Sequence, residues 1–368
     1  MRDATLVITP EQLDAAVFRL QGARRFAIDT EFMRESTYYP QLCLVQVASD
    51  SDCYLVDPLA GLDLAPLLAA LADRGKPKIL HAARQDIEVL LNVGGHVPGP
   101  VFDTQVAAAL LGLPPQAGYA ELVARQLGHS IDKAQTRTDW SRRPLSAAQL
   151  AYAADDVHHL LQLHTDLAIA LEAKGRTAWH VEDCAALEDP GLYRTEPAQA
   201  WRRLKGLGRM RPHEQAIARA LAGWREQRAI SSDKPRGWIL TDEALLALAT
   251  LAPATATELE QVRSVPPSVV RKRGDELLAL ISAARESGDE GPSAPTSQRP
   301  TPEQNRRIGQ LQQRVRDVAA ALELSPEVLA TRRDVEAMVL GAPEHAALLR
   351  GWRRDAIGNE LLGLLAQA

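Results

Sequence analysis

The chain has 368 residues, 46% of them hydrophobic and 4% aromatic, with a formal net charge of −5; that is apolar material for two or three cores, with an Ala/Leu bias that favours helix. No apolar stretch approaches the roughly 20 residues of a membrane span, and the opening MRDATLVITPEQ lacks the basic start and long apolar run of a secretory signal. Cys43, Cys53 and Cys184 show no C-x-x-C spacing, which speaks against a disulfide framework or structural zinc and fits a reducing cytoplasm.

In chain order, a first strand is expected over 4–8, followed by a helix with Pro10 near its start that runs to about Leu20. FAIDTEF (26–32), LCLVQVAS (42–49) and CYLVD (53–57) are short β-rich runs with turn residues between them, which predicts an antiparallel meander. Strand and helix then alternate: helix 64–73, strand 76–80, helix 84–92, an extended piece at 101–102 and helix 103–111. Further helices are expected over 118–128 and 146–173. This pattern predicts an α/β fold, a mixed sheet covered by helices.

DPGLYRTEPAQ (189–199) reads as a turn-rich connection, and ESGDEGPSAPTSQRPTP (286–302) as a flexible linker. GDELLALI (274–281) resembles GNELLGLL (358–365) at an offset of 84. TDEALLALA (241–249) matches SPEVLATRR (325–333) at the same offset. Two related helical units, roughly 200–286 and 300–368, would explain both matches. Charge divides along the chain. Residues 1–195 hold 17 Lys/Arg and 25 Asp/Glu, 196–290 hold 15 and 13, and 291–368 hold 10 and 9. Arg202, Arg203, Lys205, Arg209, Arg211, Arg219, Arg225, Arg228, Lys234 and Arg236 face only Glu214, Glu226 and Asp233. An acidic domain followed by a basic stripe suits carboxylates that hold cations beside a module that meets phosphate, though a solvated helix face has the same composition.

Asp29 and Glu31 lie two apart on a strand and so point to one face; in an apolar segment they repel unless a cation lies between them. A solvated strand face would carry the same pair. Asp86 falls early in the helix after the strand KPKIL, where side chains line sites in α/β sheets and where the helix dipole alone also favours an acid. Tyr152 and Asp156, four apart on one helix, share a face, whereas Asp155 lies about 100° round and is expected exposed or paired.

Taken together and in this order, these segments resemble the DEDD exonuclease superfamily in its tyrosine-containing subgroup, and within it the ribonuclease D family. FAIDTEF, TYYPQLCLVQVA, HAARQDIEVLLN, FDTQVAAALLG and IDKAQTRTDWSRRPLSAAQLAYAADDV carry the resemblance, which covers about residues 4–285; the last unit looks like a diverged copy. It implies a ribonuclease H-like mixed-sheet exonuclease domain over 1–195 and a helical HRDC-type (helicase-and-RNase-D C-terminal) domain over 196–286. A linker over 287–302 and a second, diverged HRDC-like domain over 303–368 would follow.

The resemblance also implies that Asp29, Glu31, Asp86 and Asp156 hold two divalent metal ions and that Tyr152 is the catalytic tyrosine. Oxygen ligands select hard cations such as Mg²⁺ or Mn²⁺. The implied reaction is 3′→5′ removal of nucleoside 5′-monophosphates from RNA, with precursor tRNA as partner, by a cytoplasmic monomer. Phe32 could stack on the terminal base or be a core strand residue. His81 and Gln85 could reach the scissile phosphate or ribose, a hydrogen-bonded structural His being the alternative. Trp140 and Arg142 could border the mouth of the site, or Trp140 could anchor its loop. Asp103 reads as a helix N-cap, Asp139 as a loop hydrogen-bonder, Trp224 as core and Trp238 as a weaker core candidate. A DNA exonuclease and a non-catalytic nucleic-acid scaffold are the competing functions. The first differs only in contacts to the 2′-OH; the second would lack one of the carboxylates.

Overall fold

A computed structural model of the chain describes residues 4–131, 135–136, 138–287, 300–341 and 346–367. Most of the expected linker, 288–299, lies outside these residues. The chain divides into two compact units: Met1–Met33, Leu42–Pro190 and Pro300–Ala368 form one, and Arg34–Gln41 with Gly191–Arg299 the other.

The first unit is built on a six-stranded sheet of order β1-β4-β3-β2-β5-β6. Its strands are β1 (Thr5–Val7), β2 (Phe26–Met33), β3 (Gln41–Ala48), β4 (Cys53–Val56), β5 (Lys78–Leu80) and β6 (Val101–Asp103). β3 and β4 pair antiparallel, whereas β1–β4, β2–β5 and β5–β6 are parallel. The sheet is therefore mixed, and β2 lies inside it with both backbone edges paired.

Helices α1 (Pro10–Gln21), α2 (Ala65–Leu71), α3 (Arg84–Gly94), α4 (Thr104–Leu110), α5 (Tyr119–Leu127), α6 (Ala147–His158), α7 (Leu160–Ala173) and α8 (Thr177–Leu187) complete the first half. The single helix expected over 146–173 is two, because the run breaks at His159. α6 starts cleanly: the Ser146 hydroxyl accepts the Gln149 N–H, and Gln149 reaches back to the Ser146 N–H.

The second unit contains α9 (Pro212–Ser232), α10 (Arg236–Ile239), α11 (Asp242–Leu251), α12 (Ala256–Glu260) and α13 (Pro267–Glu286). Trp201, Ile217, Leu221, Leu245, Leu248, Leu277 and Ile281 fill its core.

Residues 303–368, expected as a domain of their own, share a hydrophobic core with the first unit. α14 (Pro302–Ala321), α15 (Pro326–Leu329), α16 (Arg332–Val339), α17 (Gly351–Arg353) and α18 (Asn359–Ala366) supply Ile308, Leu311, Val315, Leu329, Met338, Trp352 and Leu361 to it. α4 and α7 supply Leu110, Leu163, Leu167 and Leu171 to the same core. Trp352 stacks on Trp179 at 4.3 Å and 8°. Arg353 forks onto Asp183 at 2.5 and 2.9 Å. At Gly351, φ is +49° and an added Cβ would fall 1.5 Å from Glu182 Oε1, so this contact requires glycine.

The order and spacing of helices agree between the two C-terminal stretches, but at an offset that changes along the chain. α14, α15 and α16 follow α9, α10 and α11 at an offset of 90, with Pro302 and Pro212 each opening a long helix. Thr331 and Thr241 cap α16 and α11 in the same way, by accepting the N–H three residues on. The expected partner of Thr241 was Ser325, which makes no side-chain cap. The offset of 84 holds only for the last matched stretch, in α13 and α18.

Candidate active site

β2 carries Asp29 and Glu31 on alternate positions, and α6 carries Asp156 four residues after Tyr152. Carboxylate oxygens of Asp29, Glu31 and Asp156 all lie within 4.8 Å of one another. Asp86, in the first turn of α3, is buried at 7% exposure. It accepts two hydrogen bonds from the residue between Asp29 and Glu31: Thr30 N–H at 3.2 Å and Thr30 hydroxyl at 2.6 Å. Strand alternation thus puts two acids on one face of β2, while Thr30 on the other binds the third.

Among the described residues none of the four carboxylates pairs with a lysine or arginine. Burial, reinforced by Asp86, Asp156 and Glu31, holds the Asp29 carboxyl well above its ordinary value. Burial and then Asp156 and Asp86 push Glu31 up to about 9. Burial raises Asp86 to about 7 despite the Thr30 hydrogen bonds, and raises Asp156 to about 7 despite a hydrogen bond from Tyr152. Three chain segments therefore concentrate negative charge in a poorly solvated place, a condition that a cation relieves. The all-oxygen donor set suits a hard divalent ion.

Tyr152 lies 3.4 Å from the Thr136 hydroxyl, and its ring packs on Trp140 at 6.0 Å. Burial first, then Asp156, holds its phenol above the usual range, so it remains a proton donor at neutral pH.

The entry to α3 is held by Asp103 at the end of β6. Its carboxylate accepts the N–H groups of Ala82 (3.1 Å), Ala83 (2.8 Å), Gln105 (2.8 Å) and Val106 (3.4 Å). Ala82 stands at φ +54°, a left-handed conformation unfavourable for a residue with a Cβ. Asp103 is thus more than the N-cap of α4; it also fixes the turn that aims Asp86.

The expected substrate contacts fare differently. Gln85 is exposed beside Asp86, and Phe32 is half-buried beside Glu31. His81 is committed within the protein: Nδ1 meets Thr104 Oγ1 at 3.0 Å and Nε2 meets the Ala117 carbonyl at 3.1 Å. Trp140 is only 2% exposed and packs with Cys43, Leu44 and Leu55, so it backs the site and does not border its mouth. Arg142 is exposed, and its neighbour Arg143 does the anchoring. Arg143 forks onto Asp57 at 2.6 and 2.7 Å and donates to the carbonyls of Cys43 and Trp140 at 2.7 Å. Asp139 holds its loop through Ser141.

Sequence reading missed Thr30, Arg143 and Tyr119, whose hydroxyl donates to the Asp155 carbonyl at 3.0 Å. A polar residue in the buried phase of β2 was the one available signal for Thr30.

The fold and site define a nuclease of the 3′–5′ exonuclease class. The 3′-5′ exonuclease family model matches residues 5–172, and the HRDC domain model matches 214–281. Ribonuclease D of Acidiphilium cryptum is 41% identical, over 98% of this chain and 93% of the relative. That of Gluconacetobacter diazotrophicus is 40% identical over the same shares. The crystal structure of Escherichia coli RNase D, an exoribonuclease involved in structured RNA processing, superposes with a TM-score of 0.91 at 31% identity, covering 99% of both chains. The chain belongs to the ribonuclease D family and is a 3′→5′ exoribonuclease.

Proposed function

We propose that Asp29, Glu31, Asp86 and Asp156 hold two divalent cations, Mg²⁺ or Mn²⁺, and that the chain trims structured RNA, precursor tRNA among it, one nucleoside 5′-monophosphate at a time. The observation that carries this reading is the cluster of Asp29, Glu31 and Asp156 oxygens within 4.8 Å of one another, without a basic partner among the described residues. Such ions, when bound, lower the pKa of a water and stabilise both the entering and leaving oxygens of the phosphodiester.

The side chains divide the remaining work. Asp29, Glu31 and Asp156 converge from β2 and α6. Asp86 is oriented by Thr30, which leaves its second oxygen for a ligand. Tyr152, kept protonated, donates a hydrogen bond that orients the attacking water or a phosphate oxygen; its raised pKa argues against a role as general base. Gln85 and Phe32, both next to a proposed ligand in sequence, are the substrate contacts that keep their place; His81 and Trp140 serve as supports.

The substrate class follows from the Escherichia coli relative, whose role is in structured RNA processing, and from the basic helical unit, which suits phosphate binding without sequence readout. Action as a cytoplasmic monomer completes the reading. Among the described residues no helix is long and apolar enough to cross a membrane, and Cys43, Cys53 and Cys184 are buried.

Matched RNA and DNA oligomers, incubated with Mg²⁺ and with excess chelator, test the proposal. Release of 5′-mononucleotides from RNA that stops in chelator, and that Asp156→Asn abolishes with RNA binding intact, is expected. Activity that persists in chelator, or near-normal turnover by Asp156→Asn, would refute it.

A further inference from the structure

Trp238 is 61% exposed on α10 in the second unit. An indole in water forgoes a large burial gain, so its position needs a reason. Core filling is not that reason. The equivalent position in the second copy of the repeat, 90 residues on, is Val328, which is 7% exposed within its own core.

The corner that displays Trp238 is rigid. Arg236 forks onto the buried Glu226 at 2.5 and 2.6 Å, donates to the Tyr38 hydroxyl at 3.0 Å and lies 4.7 Å over the Tyr38 ring. The Tyr38 hydroxyl donates to Glu226 at 2.5 Å. Asp233, at φ +45°, accepts the N–H groups of Tyr38 and Tyr39, each at 3.0 Å. An aromatic ring presented from such a corner loses little freedom on binding.

The charges nearby in the chain favour an anionic partner. Lys234 Nζ sits 5.8 Å from the Trp238 ring centre. Between residues 202 and 238 the acids all have internal partners: Glu226 in Arg236 and Tyr38, Glu214 in the Arg211 N–H, and Asp233 in the Tyr38 and Tyr39 N–H groups. Arg202, Arg203, Lys205, Arg209, Arg211 and Lys234 are exposed. A π-face set beside a cation in a basic surface is what single-stranded nucleic acid recognition uses: stacking for the base and a charge for the phosphate.

We propose that Trp238 is a stacking platform for an unpaired base of the RNA substrate, with Lys234 beside it neutralising the adjacent phosphate. The inference rests on the reading of the chain as a nuclease for structured RNA, and adds a recognition point on the helical unit.

The test uses the full chain in chelator, so that RNA is bound and not cut. The probes are an RNA hairpin with a single-stranded 3′ tail and the same hairpin without the tail. Trp238→Ala should weaken binding of the tailed hairpin by about 5- to 100-fold and leave the blunt one nearly unchanged. Trp238→Phe, which keeps a π-face, should stay within about threefold of the parent. Lys234→Gln should lower the slope of log affinity against log salt by about one. Quenching of tryptophan fluorescence by the tailed RNA should shrink in Trp238→Phe.

Unchanged affinity in Trp238→Ala, or equal loss on both hairpins, would overturn the proposal. So would a change in oligomeric state with RNA affinity intact, which would assign the indole to a second copy of the chain. Hydrolysis of a short oligomer by the parent with Mg²⁺ judges the nuclease reading separately. Failure there sinks that reading, while the binding comparison concerns Trp238 alone.

Discussion

Tyr152 separates positioning from acid–base chemistry within one side chain. Its phenol is buried beside Asp156 and held above the ordinary tyrosine range, so a neutral hydrogen-bond donor is what it can supply. Tyr152→Phe should lower the single-turnover rate by about 10²- to 10³-fold, the scale for loss of one oriented donor, with RNA affinity almost unchanged. An unaltered rate would remove the hydroxyl from the chemistry. The carboxylates make a pH prediction of definite sign. Glu31 is raised to about 9, and Asp86 and Asp156 to about 7. Protonation in the folded metal-free protein therefore outlasts protonation in the unfolded chain. Their contribution to stability is complete below the unfolded values near 4 and is lost as pH rises through 7 to 9. The unfolding temperature of chelated protein should fall over that window, and Mg²⁺ should restore more of it at about pH 9 than at about pH 5. A Mg²⁺ effect independent of pH would contradict the charge cluster. Asp29, Glu31, Tyr152 and Asp156 were legible because strand and helix periods alone put each pair on one face. The Asp86–Thr30 pairing was not, since it joins residues 56 apart. His81 and Trp140 show the converse limit. Nearness to Asp86 or to α6 in the chain says nothing about direction, and both side chains turn inward.

The connections between elements explain the aim of the site. β5 leads into α3 through Ala82, whose left-handed backbone persists because Asp103 accepts the N–H groups of Ala82 and Ala83, from the peptides on either side of it. The sequence identified Asp103 as a cap of α4, and the cap is there; its second duty to the β5–α3 turn depends on β6 lying next to β5. Asp103→Ala should cost about 2–4 kcal/mol by leaving buried donors unmet, and should weaken divalent-ion binding through Asp86. Asp103→Asn, which keeps one acceptor oxygen, should recover part of both. Denaturant unfolding with Mn²⁺ titration measures them, and unperturbed ion affinity in the Ala variant would deny the link to Asp86. The break between α6 and α7 escaped sequence reading because no proline or glycine marks it; apolar residues recur at helical spacing through the run AAQLAYAADDVHHLLQLH.

At the scale of the molecule, the mixed sheet, its helical cover and the repeated C-terminal helices could all be read from pattern. The partition could not. Amphipathic helices declare that they bury a face, but not against what. The faces of α14 and α16 close over α4 and α7, and the pairing of Arg353 with Asp183 spans 170 residues. The shift of the repeat offset from 84 to 90 has a related origin: Leu-rich helices match in more than one register, and cap geometry at Thr241 and Thr331 decides between them. All of this scaffolding serves one arrangement of charge. The direct test is anomalous diffraction from crystals soaked in Mn²⁺, with a bound nucleotide where one can be trapped. The account predicts two Mn²⁺ peaks among Asp29, Glu31, Asp86 and Asp156. A well-ordered structure in which Mn²⁺ binds elsewhere and leaves these carboxylates without an ion would contradict it.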